Sequence, residues 1–377
     1  MTEQPKKKKR IRVGVVFGGR SGEHEVSLRS ARSIIDALDP EKYDVVPIGI
    51  TRQGHWLRSG DPMAALTSGN AAGEATAILA DPSQRGLVTY RVGQLDHRRD
   101  AAEAAETIDV VFPVLHGPYG EDGTIQGLLE MANVPYVGAG VLGSALGMDK
   151  DVQKRLLRAA GLPVLDWLAF TAREWAGRRE QLAADVELKL GYPCFVKPAN
   201  LGSSVGITKV KREAELDGAV DVAASYDRKI VVEAAAPTPR EVECSVLGND
   251  DPIASVPGEI VPDREWYDYD AKYSNSQTQL IIPAQIPRAA AEEVRRLAVA
   301  AFKALECAGM ARVDFFIDQS AKRFWINEIN TIPGFTSISM YPKLWEASGV
   351  PYAELVDRLI QLALERHEEK NRLRTER

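Results

Sequence analysis

Two neighbouring segments of the 377-residue sequence, "ARVDFFID" from position 311 and "RFWINEIN" from position 323, carry the residues best suited to chemistry. Side chains two apart on a strand share a face, so Arg312 and Asp314 project together, as do Glu328 and Asn330. If the segments pair as a hairpin across "QSAKR", two carboxylates, an amide oxygen and a guanidinium converge on one patch. Hard oxygen donors of this kind suit magnesium, which keeps several waters and takes substrate phosphates in its remaining positions. The plainer alternative is a salt-bridged hairpin face in water. Against it, Val313, Phe315, Ile317, Trp325 and Ile329 give the opposite face an apolar surface that anchors the hairpin to a core.

A phosphate partner for such a metal is suggested upstream. "FVKPANLGSSVGITKV", residues 195–210, starts as a strand, breaks into a glycine and serine loop, and returns to β-branched residues. Glycines permit close backbone approach and serines add hydroxyl donors, so the loop can wrap a group rich in acceptor oxygens, with Lys197 at its mouth. Together these features suggest ATP, but not in a P-loop, because the sequence holds no G-x-x-x-x-G-K-[ST] and the lysine precedes the glycines. "GGRSGEHE", Gly18 to Glu25, lies between a strand and a helix and does not fit G-x-G-x-x-G in register.

The elements that must position these residues divide the chain into three parts. "IRVGVVFGG" reads as a buried strand, and Leu28, Ala31, Ile34, Ile35 and Leu38 follow at helical spacing before "YDVVPIGI" supplies a second strand. This β-α-β opening predicts a parallel sheet. Residues 51–107 carry scattered strand signals and read as an elaboration of that sheet, and "DVVFPVLHG" then restores it. The predicted organisation is a basic leader at 1–10, an N-terminal α/β domain at 11–142, a central α+β domain at 143–236 and a C-terminal domain at 237–377. Residues 262–279, "PDREWYDYDAKYSNSQTQ", have neither strand nor helix period but carry aromatics densely, which predicts an active-site lid.

Bulk properties narrow the function. A net charge of −6 argues against a nucleic-acid-binding body, and the run Lys6 to Arg10 reads as a solvated tail. The sequence lacks a membrane-length apolar run and an apolar signal core, so a cytoplasmic protein is expected. Cys194, Cys244 and Cys307 are far apart without metal-type spacing, and are expected to be buried free thiols.

A lysine before a glycine-serine loop and a strand pair bearing Asp, Glu and Asn resemble the ATP-grasp fold. Within it, "GGRSGEHEVSL", "HGPYGEDG", "MDK", "VKPANLGSSVG", "YDYDAKY", "ARVDFF" and "NEINTIPGFTSISMYP" resemble the D-alanine:D-alanine ligase family, in family order from about residue 12 to 361. The resemblance implies a three-domain ATP-grasp fold, α/β and α+β, with an N-terminal parallel-sheet domain. It also implies joining of two D-alanines at the expense of ATP, through an acyl phosphate and a tetrahedral oxyanion, for peptidoglycan precursor synthesis. The implied cofactors are ATP and two Mg2+ or Mn2+ ions. The implied assembly is a homodimer with no nucleic-acid or membrane partner.

By the same resemblance, Lys150, Lys197 and Lys272 reach phosphates, and Ser203, Ser204 and Gly206 fold over them. Glu233 receives the adenine edge and Glu241 the ribose hydroxyls, while Asn327 and Glu328 also contact the nucleotide. Asp314, Glu328 and Asn330 are the implied metal ligands, with Arg312 and the Gly334 N–H at the oxyanion. Glu23 takes the first ammonium and is linked to Ser203 and Tyr273; His116 lies near the first substrate, and Ser339 and Met340 meet the second. "EAAAPTPRE" is one residue longer than the family spacing, which leaves the register between Glu233 and Glu241 open.

Two other classes compete. Another ATP-grasp carboxylate-amine ligase would share Lys197, Asp314 and Glu328 but need not share Glu23, His116 or Tyr273, and a D-alanine:D-lactate ligase would depart from Tyr273. A non-catalytic nucleotide-binding regulator could dispense with the metal carboxylates or Arg312, and all of these are present.

Overall fold

The computed structural model describes residues 9–58, 60–69, 75–83, 86–90, 103–261 and 278–374, and Lys272 and Tyr273 lie outside them. The opening strand, Ile11–Gly18, runs parallel to Tyr43–Ile50 on one side and Val110–Val114 on the other. It is buried on both faces, with Val13, Val15 and Phe17 in one core and Val16 in another, as a central strand of a parallel sheet requires. Helix His24–Ala37 makes the first crossover. Beyond Tyr43–Ile50 the sheet continues antiparallel through Trp56–Leu57, Ala75–Ile78, Leu87–Tyr90 and Glu103–Glu106, so the elaboration predicted at 51–107 extends the sheet edge.

Helix Lys150–Ala159, capped by the Asp149 carboxylate on the Val152 N–H, leads into a second sheet. Its four antiparallel strands, in order, are Thr208–Val210, Cys194–Pro198, Lys229–Ala234 and Trp167–Thr171. Thr171 and Glu174 form a capping box that starts helix Ala172–Lys189.

In the third sheet, Arg240–Gly248 lies between Gly258–Val261 and Gly309–Ile317, which pairs in turn with Phe324–Asn330. Helix Arg288–Ala304 buries Val294, Leu297, Ala301 and Phe302 against Val313, Phe315 and Ile317. The C-terminal helix, Tyr352–Asn371, returns to the first sheet, where Val356, Leu359 and Ile360 share a core with Val15, Phe112 and Phe335. Full burial of one such aliphatic side chain contributes roughly 1.5–3 kcal/mol, so this shared core ties the two ends of the chain firmly.

One face assignment from the sequence is corrected. Strict alternation places Trp325 on the core side with Ile329, but Asp314 faces Glu328 while Phe315 faces Ile326, leaving Asn327 as an extra residue. This bulge reverses the alternation, so fully buried Ile326 takes the core position and half-buried Trp325 lies on the other face beneath the Arg323 guanidinium.

Candidate active site

The hairpin register sets Arg312 opposite Asn330 and Asp314 opposite Glu328, as the two-residue spacing implies. Arg312 donates Nε–H and Nη2–H to the two Asp314 oxygens, each at 2.7 Å, and its Nε lies 2.9 Å from Glu243 Oε2. Asn330 adds a bond from Nδ2 to Asp314 at 3.0 Å. Burial alone disfavours the Arg312 charge, but Asp314 and Glu243 outweigh it and raise the guanidinium pKa well above its usual value. Lys150 Nζ stands 3.4 Å from Glu328 Oε2.

Among the described residues, no group of three or more His, Cys, Asp or Glu side chains forms a metal cage. The two facing carboxylates with one amide instead match a magnesium mode in which protein oxygens hold one side of the ion and phosphates the other. The donor set therefore fits the implied metal.

A second group of charges sits deeper. Glu233 is 1% exposed and receives Lys154 on one oxygen and Lys197 on the other. Burial pushes the Glu233 carboxyl up, yet the two lysines prevail and hold it below its ordinary value. Lys154 is itself fully buried, which lowers its ammonium pKa despite that contact. Sequence reasoning missed Lys154, although its signal was readable: in "MDKDVQK" it follows Lys150 by four residues on one helix face. Glu243 was missed too, although the alternation of "REVECSV" aims it with Glu241 away from Val242 and Cys244.

The glycine-serine loop closes the site from above. Ser203 and Ser204 have φ of 52° and 58°, a left-handed conformation that costs L-residues energy and persists where contacts impose it. One such contact is visible: the Ser203 hydroxyl donates to Glu23 Oε1. A Cβ on Gly202 would sit 3.1 Å from Glu23 Oε2, and one on Gly117, at φ +74°, 2.9 Å from the same oxygen. Glycine at these two positions lets the loop and the His116 segment close on Glu23. Gly334 is likewise crowded, its absent Cβ falling 2.9 Å from Ser339 Oγ.

Two adjoining cavities result. One, of about 540 Å³, is lined by Lys150, Lys197, Ser204, Glu233, Glu241, Asp314 and Asn327. The other, of about 120 Å³, is lined by Glu23, His116, Arg312, Asn330, Gly334, Ser339 and Met340. Ser203, Glu243 and Glu328 border both. Every sequence-predicted site residue among the described ones, Gly206 excepted, thus lines one of these two cavities. Cys194, Cys244 and Cys307 are free and buried, and burial pushes the first thiol up to about 11 and the others to about 12, so none is a nucleophile at neutral pH.

A sequence profile described as "D-ala D-ala ligase N-terminus" matches residues 12–139, and one described as "D-ala D-ala ligase C-terminus" matches residues 156–361. The chain belongs to the D-alanine–D-alanine ligase family. A D-alanine–D-alanine ligase from Natranaerobius thermophilus is 49% identical over 370 residues, covering 98% of this chain and 99% of the relative. One from Heliobacterium modesticaldum is 52% identical over 366 residues, covering 97% and 98%. Among solved structures, the VanG D-Ala:D-Ser ligase from Enterococcus faecalis superposes with a TM-score of 0.82 at 36% identity, covering 94% of this chain and all of the other. The D-alanine-D-alanine ligase from Coxiella burnetii gives 0.80 at 38% identity, covering 96% and 98%. The fold of this family member is accordingly the ATP-grasp fold, with a parallel-containing first sheet and two antiparallel sheets. Among its described residues, no helix is long and apolar enough to cross a membrane.

Proposed function

We propose that this family member is an ATP-dependent D-alanine:D-alanine ligase that makes D-alanyl-D-alanine for peptidoglycan precursors. The observation that carries the proposal is that Ser203, Glu243 and Glu328 line both cavities, with Arg312 in the smaller one 2.9 Å from Glu243. A nucleotide in the larger space presents its terminal phosphate to an amino acid held by Glu23 in the smaller one.

In this reading a carboxylate oxygen of the first D-alanine attacks the γ-phosphorus, the bond to the β-phosphate oxygen breaks, and ADP leaves. The amine of the second D-alanine then attacks the acyl phosphate carbon, its ammonium proton having been lost. The carbonyl oxygen becomes an oxyanion that Arg312 and the Gly334 N–H stabilise, and collapse expels inorganic phosphate. Phosphoryl transfer depends mainly on positioning and charge stabilisation, which suits a site rich in cations with no activated nucleophile among its described residues. Lys150 and Lys197 orient the phosphates, Glu233 and Glu241 hold the base and ribose, and Ser203 and Ser204 cover them. Asp314, Glu328 and Asn330 would hold Mg2+ or Mn2+, which neutralises phosphate charge when bound. Ser339 and Met340 meet the second substrate; Tyr273 and Lys272, the other residues expected at the site, lie outside the described residues.

We further assign the domains as 11–142, 143–236 and 237–377, after a basic leader at 1–10, in a cytoplasmic homodimer. An isotope experiment tests the chemistry: D-alanine labelled with 18O in its carboxylate should deliver one label to the released phosphate. Phosphate free of label would exclude the acyl phosphate route. Assays with D-serine and D-lactate as second substrates should give less product than D-alanine, and a preference for either would assign a different second substrate.

A further inference from the structure

The turn that carries Gly334 is held on both flanks by the first segment of the chain, while the Tyr352 hydroxyl donates to the Phe335 carbonyl at 2.7 Å. The Ile332 N–H donates to Glu121 Oε1 at 3.1 Å, and the other Glu121 oxygen accepts the Gly117 N–H at 2.7 Å. The Ile332 carbonyl lies 3.0 Å from His116 Nδ1, and because a carbonyl only accepts, Nδ1 carries the proton. His116 Nε2 is then an acceptor, and Ser30 Oγ lies 3.3 Å from it. Ser30 Oγ in turn accepts the Phe335 N–H at 3.2 Å. One continuous circuit therefore runs from Phe335 through Ser30 and His116 to Ile332, and on through Glu121 to Gly117. Both flanks of Pro333 and Gly334 are fixed by it, with Ser30 and His116 almost fully buried.

This arrangement changes the reading of His116. Both ring nitrogens are engaged by the scaffold, and burial keeps the imidazole neutral by lowering its pKa. A neutral ring with one donor and one acceptor is what the circuit demands.

We propose that Ser30, His116 and Glu121 are positioning residues that clamp the 332–335 turn and thereby aim the Gly334 N–H at the reacting carbon's oxygen. This rests on the assignment of Gly334 as an oxyanion donor. The clamp belongs to the same segment as Glu23, so capture of the first amino acid and placement of the oxyanion donor are built on one rigid frame. Misplacing a catalytic group by about 1 Å can cost around 100-fold in rate, so small releases of this turn should be visible.

Ser30→Ala removes a single oxygen, and Glu121→Gln keeps the shape while replacing one acceptor by a donor that opposes a backbone N–H. Both variants are to be checked for intact folding by thermal melting and then compared by steady-state kinetics. The expected result is a turnover loss of about 10- to 100-fold, with KM for ATP within about two-fold of the parent. His116→Asn, which keeps a donor near Nδ1, should retain more turnover than His116→Ala. Hydrogen exchange of a peptide spanning 331–336 should accelerate in Ser30→Ala and Glu121→Gln, and affinity for a tetrahedral phosphinate analogue should fall in parallel with turnover. Unchanged exchange at 331–336 would overturn the clamp. Faster exchange with unchanged phosphinate affinity would leave the clamp standing but overturn the role of Gly334 on which its catalytic part depends.

Discussion

Replacing Lys154 by methionine removes one of the two cations on Glu233 while keeping a long apolar stem. Lys154 and Glu233 are 2% and 1% exposed, so the carboxylate cannot recruit water in place of the lost ammonium. Removing one partner of a buried pair typically costs about 3–5 kcal/mol, and because Lys197 stays on Glu233 the lower end applies, about 3 kcal/mol. Unfolding entropy of about 2.1 cal/mol/K per residue, over the whole chain, converts this to a fall in Tm of roughly 4 °C. The functional effect follows from the second lysine. In the proposed reaction Lys197 leaves Glu233 to meet phosphate, and Lys154 keeps the carboxylate neutralised when it does. Without Lys154, Lys197 is held back, and if about half the cost is felt on nucleotide binding, ATP affinity drops about ten-fold. Isothermal titration with a non-hydrolysable ATP analogue, beside a thermal melt, measures both quantities. A lowered Tm with unchanged nucleotide affinity would refute the reasoning, since Lys154 would then serve stability without coupling to Lys197.

Arg312→Ala should lower kcat by roughly 100-fold, about 3 kcal/mol of lost oxyanion stabilisation, with ATP affinity largely retained; equal losses in both would contradict the assignment. Glu121 is pushed up to about 8 by burial first and the nearby Glu23 charge second, against the opposing pull of the Gly117 and Ile332 N–H groups and of Arg312. The folded protein therefore keeps a proton that the unfolded chain releases near its ordinary value, so the stabilisation is full below about pH 4.5 and lost as pH rises through about 8. Glu121→Gln should flatten the decline in stability across that window in denaturant titrations, and an undiminished slope would assign the decline to other groups. Gly117→Ala should raise KM for D-alanine, because a methyl at φ +74° meets Glu23 Oε2 at 2.9 Å; kinetics with KM unchanged would mean that Glu23 does not bind the first substrate.

Much of the site was legible because its residues sit on strands, where a period of two fixes direction. Arg312, Asp314, Glu328 and Asn330 were placed together from spacing alone, and the register pairs them. The same rule failed at Trp325, because a bulge inserts one residue and reverses the faces, and no local composition marks it. Glu121 and Ser30 were not found because their partners, Ile332 and Phe335, lie 211 and 305 positions away. Such pairings are set by tertiary packing, which one sequence pattern does not encode. Residues 51–107 were read only as an elaboration, since short edge strands such as Trp56–Leu57 are too brief for any period to register. The segment read as a lid falls almost wholly outside the described residues.

The central claim is that one continuous space couples a nucleotide's terminal phosphate to a D-amino acid held at Glu23. Its most direct measurement is phosphate release by the purified protein with ATP and magnesium, with and without D-alanine, alongside mass spectrometry of the products. The account predicts release that depends on D-alanine, with one phosphate formed for each D-alanyl-D-alanine. Release indifferent to D-alanine, or none while ATP still binds, would contradict it.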